Sequence, residues 1–133
     1  MTFAEKGIKA ELIADRDFTV FADYELTLLA LGNYLSNAVH YVAGDPPTIR
    51  VRVTAVENGI RVGVYNSGDC IPSEQLPHLW DSFYKADKAR TRAYGGHGLG
   101  LSIVKRAVEA HGKQVGVENL DDGVEFWLEL PRE

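Results

Sequence analysis

The 133-residue sequence has a single cysteine, Cys70, and no apolar run long enough to cross a bilayer. One cysteine excludes an internal disulfide and a zinc site built from several thiolates. A membrane-spanning helix needs about 20 consecutive apolar residues, and the N-terminal residues lack the pattern of a signal peptide. We therefore expect a cytoplasmic protein whose membrane anchor, if it has one, lies outside this chain.

Positive charge is also scarce. Lys and Arg number 14 against 19 Asp and Glu, which gives a formal net charge of −5. Proteins that bind nucleic acid non-specifically usually carry a basic surface, so we expect no nucleic-acid partner. The length and the apolar fraction of 45% are those of one ordinary globular domain.

Hydrophobic periodicity predicts an alternation of strands and helices. A strong hairpin signal, Asn58-Gly59, separates two alternating runs, and Asp23 is a suitable N-cap for the first long helix. We expect Ser73 to cap a short helix, and Gly112 to end the last one. The predicted strands are 7–13, 19–22, 49–55, 60–65, 114–119 and 124–130, and the long helices are 24–42 and 101–111. The predicted core stripe of the first helix is Leu28, Leu31, Leu35, Ala38, Val39 and Val42.

A glycine-rich loop at 94–100 runs directly into the second long helix. Residues without Cβ atoms let a phosphate chain approach the backbone, and a helix N-terminus attracts anions. The loop is not a Walker A motif, because no GK[ST] follows, and no strand directly precedes it as in a dinucleotide fingerprint. Taken alone, this stretch leaves open an ordinary surface loop.

The first long helix carries a second, polar stripe. Asn33, Asn37 and Tyr41 are spaced i, i+4, i+8 and so share one face, next to His40. Asn is a poor residue in a helix interior, and a pair of them favours a ligand or metal site over a wet helix edge. An amide oxygen is a suitable neutral ligand for Mg²⁺ that also binds phosphate oxygens.

Two further segments suggest a pocket. Asn66 leaves a buried strand at a turn, which could place one polar group at the mouth of an apolar slot, although a plain turn is the simpler interpretation. Residues 86–94 are polar and basic without a clear period, which indicates a mobile lid between an aromatic segment, 79–85, and the glycine loop.

Four pieces of sequence stand in a fixed order: NYLSNAVHY (33–41), NSGDCIP (66–72), LWDSFYK (79–85) and GGHGLGLSIVK (95–105). They resemble the N, G1, F and G2 boxes of the ATP-binding catalytic domain of sensor histidine kinases, in the GHKL (Bergerat-fold) superfamily. The resemblance covers nearly the whole chain. It implies a two-layer α/β sandwich, with a mixed sheet of about five to six strands, about three helices on one face and a flexible ATP lid.

The resemblance also implies functional residues. Asn37 and Asn33 would bind the Mg²⁺ that bridges the phosphates of ATP, and Asn66 would meet the adenine amino group. Tyr84 and Lys85 would begin the lid. The implied nucleotide contacts are Asn33, Asn37, His40, Tyr41, Asn66, Gly68, Ile71, Tyr84, Lys85, Gly96, His97, Gly98, Leu99 and Gly100.

Three positions depart from the family pattern. Asn66 replaces the usual Asp, so it accepts through an uncharged amide oxygen. Cys70 replaces a usual Gly, and the turn there must tolerate a Cβ. His40 stands where Lys or Arg is common, which weakens one phosphate contact near neutral pH. These changes bear on ATP affinity more than on the fold.

The four histidines lie outside the context expected of a phosphoacceptor. We therefore expect residues 1–133 to be the catalytic domain of a larger, membrane-anchored kinase, unable to autophosphorylate alone. Its expected partners are a dimerisation domain bearing the histidine and a response regulator.

Three alternatives remain. ATPase-type relatives carry a Glu four residues before the metal-binding Asn, where this chain has Asn33. A protein serine kinase like the anti-sigma-factor kinases usually lacks this F box and this lid. A non-catalytic interaction module with a decayed pocket is favoured only by Asn66 and Cys70.

Overall fold

The computed structural model describes residues 7–14, 16–20, 22–81 and 100–132. Within them the chain forms a mixed sheet of five strands with two α-helices and one 3₁₀ helix, which confirms the expected α/β sandwich. No helix among these residues is long and apolar enough to cross a membrane. The elements are β1 (Lys9–Ala14), α1 (Tyr24–Tyr41), β2 (Thr48–Val56), β3 (Gly59–Ser67), the 3₁₀ helix (Ser73–His78), α2 (Gly100–Ala110), β4 (Val115–Leu120) and β5 (Gly123–Pro131).

The strands are ordered β1-β2-β3-β5-β4. β1 is parallel to β2, and every other pair is antiparallel. The predicted β2–β3 hairpin is confirmed, and Asn58 at its turn has φ +59°. Asn tolerates this left-handed conformation better than most residues. Asp23 caps α1 as predicted, because its side chain accepts a hydrogen bond from Leu26 N–H.

One face of the sheet and the two helices bury the core. Tyr34 of α1 is 1% exposed, and its hydroxyl donates to the carbonyl of Trp127 over 2.8 Å. The Tyr34 ring also lies 5.7 Å from the ring of Phe126 and 6.4 Å from that of Trp80, between centroids. A buried hydroxyl needs such a partner, so this bond fixes how α1 rests on the sheet. The buried strand residues include Ile49, Ile60, Val62, Val64, Val124, Phe126, Leu128 and Leu130.

The predicted core stripe of α1 is partly wrong. Leu28 is 52% exposed, whereas the buried residues are Ala30, Tyr34, Asn37 and Ala38. The sequence offers two adjacent rows of apolar residues, and the helix is turned so that the row with Tyr34 faces the sheet. The polar stripe predicted beside the core therefore lies partly within it.

Two smaller predictions are also wrong. The expected strand at 19–22 is reduced to an isolated bridge between Val20 and Arg132. The N-cap position of the short helix is held by Pro72, and no side chain caps it there. Ser73 is instead the first residue of a 3₁₀ turn.

The face of the sheet opposite the core carries arginine side chains laid on aromatic rings. Arg50 lies 5.0 Å from the centroid of the Tyr65 ring and pairs with Glu11 at 3.4 Å. Arg61 lies 4.0 Å from the centroid of a Trp127 ring and holds Glu129 at 2.7 Å. Cation–π stacking and ion pairing thus hold both arginine side chains against this face of the sheet.

Candidate functional site

Asn37 is the most buried polar residue of α1, with 8% of its surface exposed. In the part of the chain that the structure describes, no residue forms a hydrogen bond with its side chain. Asn is an unfavourable residue in a helix interior, so helix propensity does not explain this position. Its oxygen is of the type that binds Mg²⁺, and the residue fits the predicted metal-binding role.

Asn33 lies one turn earlier on the same helix. Its Nδ2 donates to the carbonyl of Leu29 over 3.0 Å. Its Oδ1 approaches Gly100, where a Cβ would lie only 3.4 Å from that oxygen. Gly100 is the first residue of α2, whose first N–H groups have no partner within the helix. The fold therefore brings together Asn33, Asn37 and the N-terminus of α2, three parts of the predicted phosphate and metal site.

The end of α1 contacts the turn that follows β3. Gly68 has φ +137°, and a Cβ there would lie 3.1 Å from the carbonyl oxygen of Tyr41 and 3.3 Å from the nitrogen of Ala43. Both the backbone conformation and the space require glycine. Tyr41 is half-buried, and the His40 ring meets its ring edge-on at 4.7 Å between centroids. The predicted contacts from the N and G1 boxes are thus neighbours.

Asn66 is 3% exposed and lies near the end of β3. Its strand neighbours are Ile49 and Val124, so apolar residues flank it on both sides. Its Nδ2 donates to the carbonyl of Ser67 over 3.2 Å. Its Oδ1 accepts no hydrogen bond from the described residues. The residue fits the interpretation of one polar acceptor at the mouth of an apolar slot.

The loop after Asn66, residues 68–71, lies against the β4–β5 turn. Gly68 N–H donates to the carbonyl of Asp122 over 3.0 Å, and the Cys70 thiol donates to the carbonyl of Leu120 over 3.0 Å. Asn119 accepts from Ile71 N–H at 2.9 Å and donates to the Ile71 carbonyl at 2.8 Å. Asn119 was not among the predicted site residues, because no local signal connects it with a loop 48 positions earlier.

A second cleft opens behind this loop, on the sheet face opposite the core. Its volume is about 390 Å³, and its lining includes Tyr65, Gly68 and Asp122. Burial and the nearby Asp122 raise the pKa of Tyr65 above its usual value. Gly68 is the sole predicted site residue in its lining, so this cleft is distinct from the candidate site.

Several predicted site residues lie outside the described residues: Tyr84, Lys85, Gly96, His97, Gly98 and Leu99, with the rest of the predicted lid. The F box begins within the described part, where Leu79 is 9% exposed and Trp80 packs against Tyr34 and Phe126. In the described ranges, no group of three His, Cys, Asp or Glu side chains could hold a metal ion. A metal at this site would depend on amide oxygens and on the ligand.

Comparison with known proteins gives one matching family. The profile described as histidine kinase-, DNA gyrase B- and HSP90-like ATPase matches residues 22–133. The sensor histidine kinase CusS of Escherichia coli (strain K12) is 38% identical over 127 residues, which are 96% of this chain and 26% of that protein. The chain thus spans about a quarter of the length of this curated relative.

The similar solved structures are also histidine kinases. The nucleotide-free catalytic domain of histidine kinase ThkA matches with a TM-score of 0.85 and 30% identity, over 98% of this chain and 82% of that one. Full-length ShkA in complex with AMPPNP matches with a TM-score of 0.81 and 27% identity, over 98% of this chain and 27% of that one. ThkA is also known in complex with the response regulator protein TrrA, with a TM-score of 0.81 and 28% identity over 98% of this chain and 36% of that one.

Proposed function

The chain belongs to the histidine kinase-, DNA gyrase B- and HSP90-like ATPase family, as a histidine kinase ATP-binding catalytic domain, and we propose that it holds Mg-ATP between α1, α2 and the loop after β3. We further propose that it delivers the γ-phosphate to a histidine on a separate dimerisation domain. Residues 1–133 would then be the cytoplasmic catalytic part of a larger, membrane-anchored sensor kinase. A response regulator would receive the phosphate next.

The observation that carries the proposal is that Asn33, Asn37 and the N-terminus of α2 lie together. Asn37 is 8% exposed, and it lies one helical turn from Asn33. The N-terminus of α2 meets Asn33 at Gly100. A buried amide, a second amide oxygen and a helix N-terminus together suit a phosphate chain that carries a divalent cation.

Each part of the chain has a distinct task in this proposal. Asn66 accepts from the adenine amino group through its Oδ1, while Gly68 and Ile71 shape the slot around the base. Asn37 and Asn33 would hold Mg²⁺, which neutralises phosphate charge when bound. The α2 N-terminus orients the phosphates through its N–H groups. Tyr84, Lys85 and the glycines before Gly100 are proposed to complete the site.

Calorimetry of the 133-residue chain with ATP, with and without Mg²⁺, tests this function. We expect a Kd in the micromolar to millimolar range, about −4 to −8 kcal/mol, in the presence of Mg²⁺. Asn37→Ala should remove the Mg²⁺-dependent part of the affinity. Ser36→Ala is the matched control, because Ser36 is an exposed neighbour on the same helix and its loss should change nothing.

Phosphotransfer is tested with a dimerisation domain supplied in trans. The wild-type chain should phosphorylate its histidine, Asn37→Ala should not, and Ser36→Ala should match the wild type. No heat and no spectral shift at millimolar ATP would overturn the function and favour a non-catalytic interaction module. Transfer to serine instead of histidine would favour the alternative kinase class.

A further inference from the structure

Asn119 forms a two-point contact with the backbone of Ile71. Its Oδ1 accepts from Ile71 N–H at 2.9 Å, and its Nδ2 donates to the Ile71 carbonyl at 2.8 Å. Both distances are those of good hydrogen bonds. The Asn119 side chain thus pairs with Ile71 as a neighbouring strand would, although Ile71 is not part of a strand.

The two bonds also decide which way the amide points. An N–H group needs an acceptor and a carbonyl needs a donor. A flipped Asn119 amide would place its NH₂ group against the Ile71 N–H and its oxygen against the Ile71 carbonyl, and neither pair can form a hydrogen bond. Both polar groups of Ile71 are satisfied by this one side chain. Ile71 is half-buried and packs against the core, where an unpaired polar group is costly.

The other contacts of this loop, with the end of β4 and the β4–β5 turn, use backbone groups of those residues. Gly68 N–H binds the Asp122 carbonyl, and the Cys70 thiol binds the Leu120 carbonyl. Asn119, in β4, is therefore a side chain that can be replaced without altering the backbone groups that hold the rest of the loop. The Cys70 bond gives the loop an anchor that a glycine at this position would lack.

We propose that Asn119 is a positioning residue for the base-binding slot, and that its hold on Ile71 sets the discrimination between adenine and guanine. The proposal rests on the proposed function, in which Ile71 and Asn66 line that slot. Ile71 follows Asn66 by only five positions, and the same turn contacts both ends of the segment. Gly123, the first residue of β5, lies so close to the backbone carbonyl of Asn66 that a Cβ there would clash with it. The β4–β5 hairpin thus contacts both residues, and in this proposal it sets the width of the slot between Asn66 and Ile71.

Discrimination between bases depends on that width. Adenine and guanine differ in the donor and acceptor pattern at one ring edge, which a slot reads only when its acceptor and its walls keep their positions. A loosened Ile71 lets the base shift, and the acceptor of Asn66 then no longer distinguishes an amino group from a carbonyl. Phosphate contacts, made elsewhere in the site, are unaffected by this shift.

The test compares Asn119→Leu with Gln114→Leu, a control that removes another amide just before β4, at an exposed position away from the loop. ATP and GTP affinities are measured by competition against a fluorescent ATP analogue with Mg²⁺. Asn119→Leu should weaken ATP binding about tenfold, which corresponds to a loss of about 1.4 kcal/mol of binding free energy. GTP binding should stay unchanged, so the ATP-to-GTP ratio should fall about tenfold, while Gln114→Leu keeps both affinities.

A purely structural role gives a different result. Equal weakening of ATP and GTP by Asn119→Leu, with a lowered Tm, would overturn the positioning role. A second measurement is free of nucleotide: hydrogen exchange at the Ile71 amide should be at least about tenfold faster in Asn119→Leu than in the wild type. Equal exchange would overturn the proposal even where ATP binds. A wild type that binds neither nucleotide would instead refute the proposed function, and the exchange result would still show whether Asn119 holds Ile71.

Discussion

The backbone N–H of Asp23 donates to Nε2 of His111 over 2.8 Å, across 88 positions of sequence. The other ring nitrogen, Nδ1, lies 2.8 Å from the carbonyl of Ala107. Since Nε2 accepts, Nδ1 carries the proton and donates, which fixes one neutral tautomer. Asp23 caps the start of α1, and Ala107 lies in the last turn of α2. One imidazole therefore serves two helix ends, where backbone groups lack partners.

Replacing His111 should destabilise the contact between the two helices. His111→Phe keeps the ring volume and loses both hydrogen bonds, so we expect the free energy of unfolding to fall by about 1–3 kcal/mol. His78→Phe is the control, because the His78 side chain is 57% exposed and its pair with Asp81 lies at the surface. Urea unfolding of both variants measures the difference. Equal stabilities would show that the two bonds contribute nothing.

Glu125 and Glu129 lie on the same strand and should respond oppositely to the same substitution. Glu129 accepts two bonds from Arg61, at 2.7 and 3.1 Å. The Glu125 carboxylate lies over Gly63, where a Cβ would come within 2.7 Å of its Oε2. Burial raises the pKa of Glu125 above its usual 4.5, against the attraction of Arg52, and Glu118 adds to the rise.

The raised pKa of Glu125 determines how this residue changes the free energy of unfolding with pH. A carboxyl group with a raised pKa favours folding below pH 4.5, where it is protonated, and loses that contribution as pH rises through its folded pKa. Glu125→Gln should therefore raise the free energy of unfolding at pH 7 and leave it unchanged near pH 4. Glu129→Gln should lower it at pH 7, by less than about 1 kcal/mol for a partly exposed pair. Urea midpoints between pH 4 and 8 decide between these outcomes, and a less stable Glu125→Gln at pH 7 would contradict the burial argument.

Two glycine-to-alanine substitutions should also have opposite effects. At Gly68, with φ +137° and a Cβ 3.1 Å from the Tyr41 carbonyl oxygen, alanine is strained and crowded. We expect Gly68→Ala to lower the free energy of unfolding by about 1–3 kcal/mol and to weaken ATP binding. At Gly32, an exposed position within α1, a Cβ meets nothing within 4 Å. Gly32→Ala should stabilise the protein by about 0.5–1 kcal/mol. Thermal unfolding and calorimetry measure both, and a neutral Gly68→Ala would contradict the close approach.

Asn66 should make the site prefer ATP to GTP. With its Nδ2 used on the Ser67 carbonyl, Oδ1 remains to accept from the adenine amino group, whereas guanine presents a carbonyl there. Asn66→Asp should keep or improve ATP binding. Asn66→Leu should weaken it about tenfold, the loss of one buried hydrogen-bonding group. Competition of ATP and GTP against a fluorescent ATP analogue tests this, and equal displacement by GTP would mean that Asn66 does not read the base.

The sequence by itself determined the elements and the family. Asp23 caps its helix and Asn58 turns its hairpin because both act through neighbouring backbone groups. Gly112, with φ +74°, ends the second long helix for the same local reason. Alternation along β5 decided which of its side chains are buried, since successive residues of a strand point to opposite faces. The four boxes allowed the function to be predicted because all of them occur in this chain in the order and spacing of the family, whereas one box alone would not be specific.

Only the tertiary structure decided which row of α1 is buried and what holds the loop after β3. Leu28 and Tyr34 both fit a helical period, and the Trp127 carbonyl selects Tyr34 because it offers its hydroxyl a partner 93 positions away. Asn119 likewise looks like an ordinary strand residue until the sheet order brings it to Ile71. Periodicity reports the environment that a residue shares with its neighbours along the chain. A hydrogen bond depends on the distance between two atoms, and for partners far apart in sequence only the packed fold sets that distance.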